Sequence, residues 1–174
     1  AAAGKAAAAQ YATPTVRGNG GGGAAAGGGG NLLAQMEKAA REGDVTTMRW
    51  LVREEMPRDK NASPEQVLLA ALLEAIAHGR VDMMILLLQH NAPKDGAASE
   101  PMQPLLLALE KSQIECARIL VKQYKAEVDN KRVAAIPLHI AVKSEFFELV
   151  RVLLERGADA NRADPLTGKT ALHW

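Results

Sequence analysis

The chain has 174 residues, of which 48% are hydrophobic but only 3% are aromatic. A core of this composition must be built from aliphatic side chains and alanine, which favours closely packed helices over a β-sandwich. The net charge of +1 excludes a global electrostatic attraction to nucleic acids or anionic membranes. No apolar run approaches the roughly 20 residues that a membrane-spanning helix requires. We therefore expect no nucleic acid as a partner and no direct membrane insertion.

Residues 1–30 differ from the rest of the chain, because 21 of them are Ala or Gly and the first acidic residue is Glu37. Glycine runs have high chain entropy and no side chains to bury, so we expect an irregular, extended tail. Such a tail becomes ordered only when another molecule holds it, which favours a subunit of a larger assembly. Its composition is also weakly similar to an organelle-targeting segment. We expect an intracellular protein, with the cytoplasm and the interior of a mitochondrion or plastid as open alternatives.

Three sets of residues recur along the chain with one common period. Apolar pairs lie 36, 33 and 33 residues apart, at Leu51-Val52, Leu87-Leu88, Leu120-Val121 and Leu153-Leu154. A second apolar column, with gaps of 36, 33, 33 and 34 residues, comprises Met36, Leu72, Leu105, Leu138 and Leu172. Alanine stands three residues after each of its first four members, at Ala39, Ala75, Ala108 and Ala141. The agreement of three columns indicates a repeat protein whose units bury their apolar faces by stacking.

Each unit has the pattern of two short helices. In the fourth unit, Pro137 suits a first helical turn, and the apolar residues that follow it share one face. A second helix is predicted over residues 146–156, with Gly157 as its C-terminal cap. Asn91 occupies the same cap position in the second unit.

These residues resemble the ankyrin repeat, whose units begin Thr-Pro-Leu-His-x-Ala and continue with a glycine turn, a Leu-Leu pair and Gly-Ala. A β-turn connection to the next unit, called the finger, then follows. The match is closest in the fourth unit, at residues 137–141, 153–154 and 157–161. The resemblance implies an all-α solenoid of stacked helix pairs with short β-turn fingers, preceded by the irregular tail. Ser112 and Glu145 stand where the family prefers glycine, so we expect differently shaped turns there.

The repeat frame divides the chain into a tail of residues 1–30 and an ankyrin-repeat domain of residues 31–174. Units are predicted at residues 31–60, 61–98, 99–131 and 132–165, with a partial fifth unit at residues 166–174. The structural positions of this frame are Leu72, Leu105, Leu138, His139, Gly157, Leu172 and His173. The two histidines fall on the same repeat position, where the resemblance implies hydrogen bonds within and between units.

Gly168, Lys169 and Thr170 offer an alternative, because they match the end of a phosphate-binding P-loop. The position five residues before Gly168 is Ala163 rather than glycine, however, and Asp164 would place a carboxylate near the phosphates. The repeat frame instead places this stretch in the turn of a finger, just before a new helix. We therefore predict no nucleotide and no other cofactor.

The sequence shows no constellation that is typical of catalysis or metal binding. Its four histidines and single cysteine have no zinc-site spacing, and its acidic residues have no recurrent pairing for acid–base work. Cys116 falls on a predicted second helix, where a packing role is expected, and it cannot form an internal disulfide. We therefore predict a protein that is not an enzyme and holds no metal.

The resemblance implies protein binding through the fingers and the exposed side of the first helices. Mapped by residue, the candidates are Glu110, Lys111, Asp129, Asn130, Lys131, Arg132, Lys143, Ser144, Asp159, Asn161, Arg162, Asp164 and Lys169. Lys131 and Arg132 also belong to a basic stretch with Lys122 and Lys125, which is either a solvated loop or a surface for an acidic partner. Nothing in the sequence indicates a homo-oligomer.

Three functions are compatible with this interpretation. The tail favours a structural or assembly subunit of a large multi-protein complex. The alternatives are a dissociable regulatory adaptor and the ankyrin region of a larger enzyme or channel, the latter suggested by the incomplete fifth unit.

Overall fold

The computed structural model describes residues 29–57, 63–97, 100–101, 103–129 and 136–174. Residues 1–28 of the predicted tail lie outside this part of the chain, and a helix already begins at Gly29. The candidate binding residues Asn130, Lys131 and Arg132 also lie outside it.

The described residues form helix pairs joined by short turns. The first two units contain α1 (Gly29–Glu42), α2 (Val45–Trp50), a π-helix that continues α2 (Leu51–Glu55), α3 (Pro64–Ala77) and α4 (Val81–Gln89). The later units contain β1 (Gly96–Ala97), β2 (Glu100–Pro101), α5 (Gln103–Glu110), α6 (Ile114–Lys122), α7 (Pro137–Lys143), α8 (Phe147–Glu155) and a 3₁₀ turn (Ala171–His173). The π-helix follows from nothing in the sequence pattern.

The helices stack in two layers. The first helices of the units contact one another in the order α1, α3, α5 and α7, and the second helices do so in the order α2, α4, α6 and α8. Each first helix also packs on the second helix of its own unit. The antiparallel pair β1–β2 forms a short finger beside α3 and α5. The predicted all-α repeat fold is thereby confirmed.

The repeat columns form the core. The apolar members Met36, Leu72, Leu105 and Leu138 and the alanines Ala39, Ala75, Ala108 and Ala141 are all buried. Small alanine side chains allow neighbouring first helices to approach closely. Leu172 differs, because its side chain is 88% exposed and no second helix packs on it within the described residues.

Two apolar columns of the second helices face opposite neighbours. One column comprises Trp50, Leu86, Ile119 and Val152. The other comprises Val52, Leu88, Val121 and Leu154. Every member is buried except Trp50 of the first unit, which is 51% exposed, and Leu154 of the fourth unit, which is 45% exposed. This exposure pattern indicates that the first column faces the preceding unit and the second column faces the following one.

The turns between the two helices of each unit share one conformation. Their φ angles are positive, at 79° for Gly43, 64° for Gly79, 56° for Ser112 and 58° for Glu145. In each turn, the residue after the one with positive φ donates its N–H to the carbonyl oxygen of the buried alanine of that unit, at 2.7 to 3.0 Å. The donors are Asp44, Arg80, Gln113 and Phe146. The expectation of differently shaped turns at Ser112 and Glu145 is therefore wrong. These hydrogen bonds hold both residues in the left-handed region that glycine adopts most easily.

The second helices end in left-handed caps. Gly157, with a φ of 87°, ends α8, and the N–H of Ala158 donates to the Leu153 carbonyl at 3.0 Å. Asn91, with a φ of 65°, occupies the same place after α4. In the third unit this role passes to Lys125, with a φ of 54°, one residue later in the frame. A cap of this kind satisfies carbonyl groups that the helix end leaves free.

Candidate protein-binding surface

Four of the predicted binding residues lie at the C-terminal ends of two neighbouring first helices. Glu110 ends α5 and Lys111 follows it, while Lys143 ends α7 and Ser144 follows it. All four residues are exposed. Because α5 and α7 are in contact, the stacking brings these residues side by side at one edge of the first-helix layer.

The last finger is a closed turn. The N–H of Asp164 donates to the Lys169 carbonyl, and the N–H of Gly168 donates to the Asp164 carbonyl, both at 2.8 Å. One carboxylate oxygen of Asp164 accepts the N–H groups of Thr167 and Leu166, at 2.9 and 2.8 Å. These hydrogen bonds, led by that from Thr167, lower the pKa of Asp164, and the Lys143 charge lowers it further. The turn therefore directs N–H groups at its own carboxylate, which disfavours the phosphate-binding alternative.

Asp129 and Arg162 join two adjacent fingers. The Arg162 guanidinium forms an ion pair with the Asp129 carboxylate, and both side chains are largely buried. Asp129 also accepts the N–H of Asp159 at 3.3 Å. Because this ion pair is largely shielded from solvent, it holds the two fingers together. Both residues were predicted to bind a partner, but their charged groups contribute to the repeat domain itself.

His139 links the fourth unit to the finger beyond it. Its side chain is only 3% exposed, and its Nε2 lies 3.0 Å from the Arg162 carbonyl oxygen. Because a carbonyl only accepts, Nε2 carries the proton and donates, which leaves Nδ1 as a bare acceptor. Nδ1 is buried without a hydrogen-bond partner among the described residues. An unsatisfied buried acceptor costs about 1–3 kcal/mol.

The partial fifth unit shows which partner His139 lacks. The side chain of His173 accepts hydrogen bonds at Nδ1 from the hydroxyl and the N–H of Thr170, at 2.9 and 3.2 Å. Ile136 stands three residues before His139, where Thr170 stands before His173. The fourth unit thus has isoleucine where a hydroxyl donor would satisfy its histidine.

Replacing Ile136 by threonine is expected to supply this donor. The comparison is with Ile136→Val, because valine has the shape of threonine without the hydroxyl. Burying a hydroxyl in an apolar site ordinarily costs about 1–3 kcal/mol, and Val152→Thr in the buried face of α8 serves as the control for that cost. We expect Ile136→Thr to be at least as stable as Ile136→Val in guanidinium unfolding. Suppose instead that Ile136→Thr is less stable than Ile136→Val by as much as Val152→Thr is less stable than the unmodified chain. The threonine hydroxyl would then not be the donor that His139 Nδ1 lacks.

Lys143 and Lys169 converge on Trp174. The Nζ atom of Lys143 lies 3.5 Å from the centroid of the indole ring, and that of Lys169 lies 4.3 Å from it. Both distances are in the range of cation–π interactions. We name these three residues the Lys–Trp cluster. The sequence analysis proposed both lysines but not Trp174, because only the stacking of the 3₁₀ turn on α7 brings a residue at position 143 to this ring.

The remaining candidates have local roles in the fingers. Asp159 accepts the N–H of Asn161 at 2.9 Å, and the Asn161 side chain is exposed. The structure therefore gathers the exposed candidates into the first-helix edge and the last finger, which together form the candidate binding surface. Its members are Glu110, Lys111, Lys143, Ser144, Asn161, Lys169 and Trp174.

Cys116 lies inside the repeat stack. Its side chain is 1% exposed, and burial, with a smaller contribution from the Glu115 charge, raises its pKa to about 11. A thiol with this pKa is a poor nucleophile at neutral pH. Among the residues that the structure describes, no three His, Cys, Asp or Glu side chains are grouped so as to hold a metal ion.

The buried thiol is expected to be unreactive in the folded protein. At pH 8 a pKa of about 11 leaves roughly one thiolate in a thousand, against about a tenth for a pKa of 9.0. Ellman's reagent should therefore label the native chain far more slowly than the chain in guanidinium, where one thiol per chain reacts. Labelling at the same rate in both conditions would show that Cys116 is not packed as described.

Stacked helix pairs with buried apolar columns and an exposed, mixed-charge edge define a helical-repeat protein of the interaction class. A family model described as "Ankyrin repeats (3 copies)" matches residues 36–132, and one described as "Ankyrin repeat" matches residues 135–165. The chain belongs to the ankyrin-repeat family. Members of this family are generally non-catalytic modules that bind other proteins.

Two similar curated proteins share about a third of their length with this chain. Ankyrin repeat and SOCS box protein 11 from Homo sapiens is 29% identical over 111 residues, which are 64% of this chain and 34% of that protein. The protein of the same name from Pongo abelii is 29% identical over 99 residues, which are 57% of this chain and 30% of that protein. In the described part of the chain, no helix has the length and apolar character to cross a membrane.

Proposed function

We propose that the protein is a non-catalytic scaffold that binds a partner protein through the candidate binding surface. The observation that carries this proposal is the alignment of Glu110, Lys111, Lys143 and Ser144 on adjacent first-helix ends. Within the described residues, none of the three charged members forms a salt bridge. Exposed charged groups that form no salt bridge within the described residues are available for contacts with another chain.

The scaffold is further proposed to be a structural or assembly subunit of a large multi-protein complex. The composition of residues 1–28 supports this, because an Ala/Gly-rich segment has few side chains with which to fold on its own. A dissociable regulatory adaptor is the first alternative, and the ankyrin region of a larger enzyme or channel is the second. A native mass measurement from the source cell separates the subunit from the adaptor, and the complete reading frame tests the larger protein.

Affinity purification with a surface variant tests the binding proposal. The variant combines Glu110→Lys, Lys111→Glu and Ser144→Glu, all at exposed positions of the first-helix edge. Its control combines Asp82→Lys, Lys122→Glu and Gln89→Glu, which are exposed on the second helices and give the same change in net charge. Thermal unfolding should be nearly unchanged in both variants, because exposed substitutions usually alter stability by less than about 0.5 kcal/mol.

The two variants should differ in what they retain from the source cell. Partners that co-purify with the unmodified chain are expected to be lost from the surface variant and kept by the control. If both variants keep every partner, the first-helix edge is not the binding surface. If the control alone loses them, the second-helix layer is the surface instead.

A further inference from the structure

We infer that the Lys–Trp cluster is the docking site for an acidic segment of the partner protein, in which Asp or Glu side chains are flanked by apolar residues. This inference rests on the proposed protein-binding function and specifies the chemistry of the partner. Lys143 and Lys169 each carry a positive charge, and both ammonium groups lie within 4.3 Å of one ring centroid. The distance between the two ammonium groups is therefore no more than the sum of their distances to the ring centroid.

Like charges at this separation repel one another. Within the described residues, neither ammonium has a carboxylate oxygen within 4.0 Å, although other pairs such as Arg151 and Glu155 do. Asp164 is near enough for its pKa to be affected by Lys143, but its carboxylate is occupied by the N–H groups of its own turn. Carboxylates from another chain would relieve the repulsion and form charge-assisted hydrogen bonds with the ammonium groups.

Apolar side chains lie next to the cluster along the chain. Leu166 in the last finger is 92% exposed. Phe147 at the start of α8 is 74% exposed. Large exposed apolar side chains of this kind contribute contact area in protein interfaces. Lys143 of the fourth unit and Lys169 of the partial fifth unit, which form no salt bridge among the described residues, therefore have exposed apolar neighbours along the chain, and this suits a segment that contains both acidic and apolar residues.

The same features disfavour nucleic acid as the ligand. Binding to a phosphate backbone draws on many cations along a track, whereas this chain has a net charge of +1 and the cluster has two lysines. Stacking of bases requires an open aromatic face. Ammonium groups already lie 3.5 and 4.3 Å from the centroid of the Trp174 ring, so a protein carboxylate is the better match.

The inference is tested with a defined peptide. The probe is a fluorescein-labelled peptide of three Gly-Leu-Glu-Glu repeats, and its counterpart has every Glu replaced by Gln. Fluorescence anisotropy should show binding of the acidic peptide but not of the amide peptide. Lys143→Gln with Lys169→Gln should weaken binding about tenfold, as expected for the loss of two charge-assisted contacts. Lys122→Gln with Lys125→Gln removes the same charge at other exposed sites and should leave binding nearly unchanged.

Trp174 provides a second readout. In a Trp50→Phe background it is the one remaining tryptophan, so its emission should change as the acidic peptide is added. Equal binding of the acidic and amide peptides, or equal loss in the two lysine variants, would overturn the inference. The inference would also be overturned if the chain did not bind the acidic peptide but bound a 12-nucleotide RNA or phosphatidylserine-containing vesicles, and if the Lys143 and Lys169 variant lost that binding.

The two proposals fail in different ways. The surface variant of the first-helix edge leaves Lys143, Lys169 and Trp174 intact. If that variant loses the cellular partner while the Lys143 and Lys169 variant keeps it, the inference fails and the proposed function stands. A third outcome is that the first-helix-edge variant and the Lys143 and Lys169 variant both keep the cellular partner, while the acidic peptide still binds the Lys122 and Lys125 variant more tightly than the Lys143 and Lys169 variant. In that case the Lys–Trp cluster binds acidic segments, and the first-helix edge does not bind that partner.

Discussion

Replacing Leu105 by alanine is expected to lower the free energy of unfolding by about 3 kcal/mol. The same replacement at Leu172 should change it by less than about 0.5 kcal/mol. Both residues belong to one repeat column, but Leu105 is fully buried between units and Leu172 is 88% exposed. The large loss at Leu105 combines the lost apolar burial with the cavity that remains.

Guanidinium unfolding followed by circular dichroism measures this difference. Leu138→Ala should resemble Leu105→Ala, because Leu138 is 2% exposed in the fourth unit. The two leucines at the same repeat position, one buried and one exposed, provide a matched pair with identical chemistry. A cost of more than about 2 kcal/mol at Leu172 would mean that its side chain is packed in solution.

Glycine and non-glycine residues in the inter-helix turns are expected to respond in opposite directions. Gly79→Ala should lower the free energy of unfolding by about 1–3 kcal/mol, because its φ of 64° is strained for alanine. A Cβ atom there would also lie 2.5 Å from the Gln113 side-chain oxygen, which has to move. Ser112→Gly and Glu145→Gly should each raise the free energy of unfolding by about 0.5–1 kcal/mol, because they relieve the same strain.

Gly157→Ala separates the backbone strain at Gly79 from the close contact with the Gln113 side chain. Its φ is 87° and nothing lies within 4 Å of the added Cβ, so its cost reflects the backbone conformation alone. Thermal or guanidinium unfolding of the four variants gives the comparison. Destabilisation by Ser112→Gly or Glu145→Gly would show that the side chain, rather than the hydrogen-bonded turn, determines the conformation there.

Most of the fold follows from periodicity. The recurring apolar residues and alanines predict the repeat, the helix pairs and the buried columns, because each column is a local property of a helix that repeats at a fixed spacing. The capping positions follow for the same reason, since Gly157 and Asn91 lie at fixed distances from the apolar pairs. The shared turn conformation at Ser112 and Glu145 was missed, because residue preference favours glycine there while backbone hydrogen bonds to Ala108 and Ala141 decide the geometry.

The candidate binding surface was only partly predictable. Sequence analysis proposed Lys143, Lys169, Asp129 and Arg162 on equal terms, since all four are charged residues in first helices or fingers. The structure separates them, because Asp129 and Arg162 form an ion pair with each other while the two lysines lie against Trp174. A sequence records which residues are charged but not which charges neutralise one another.

The amino-acid sequence alone thus predicts a helical repeat with aliphatic columns, because burial within a helix pair depends on spacings of three and four residues. The tertiary structure alone shows that Leu172 is exposed, that His139 has no donor for its second nitrogen among the described residues, and that Lys143 lies against Trp174. Each of these depends on how one unit stacks on the next. Contacts between residues about 30 positions apart are set by that stacking, and no local pattern along the chain encodes them.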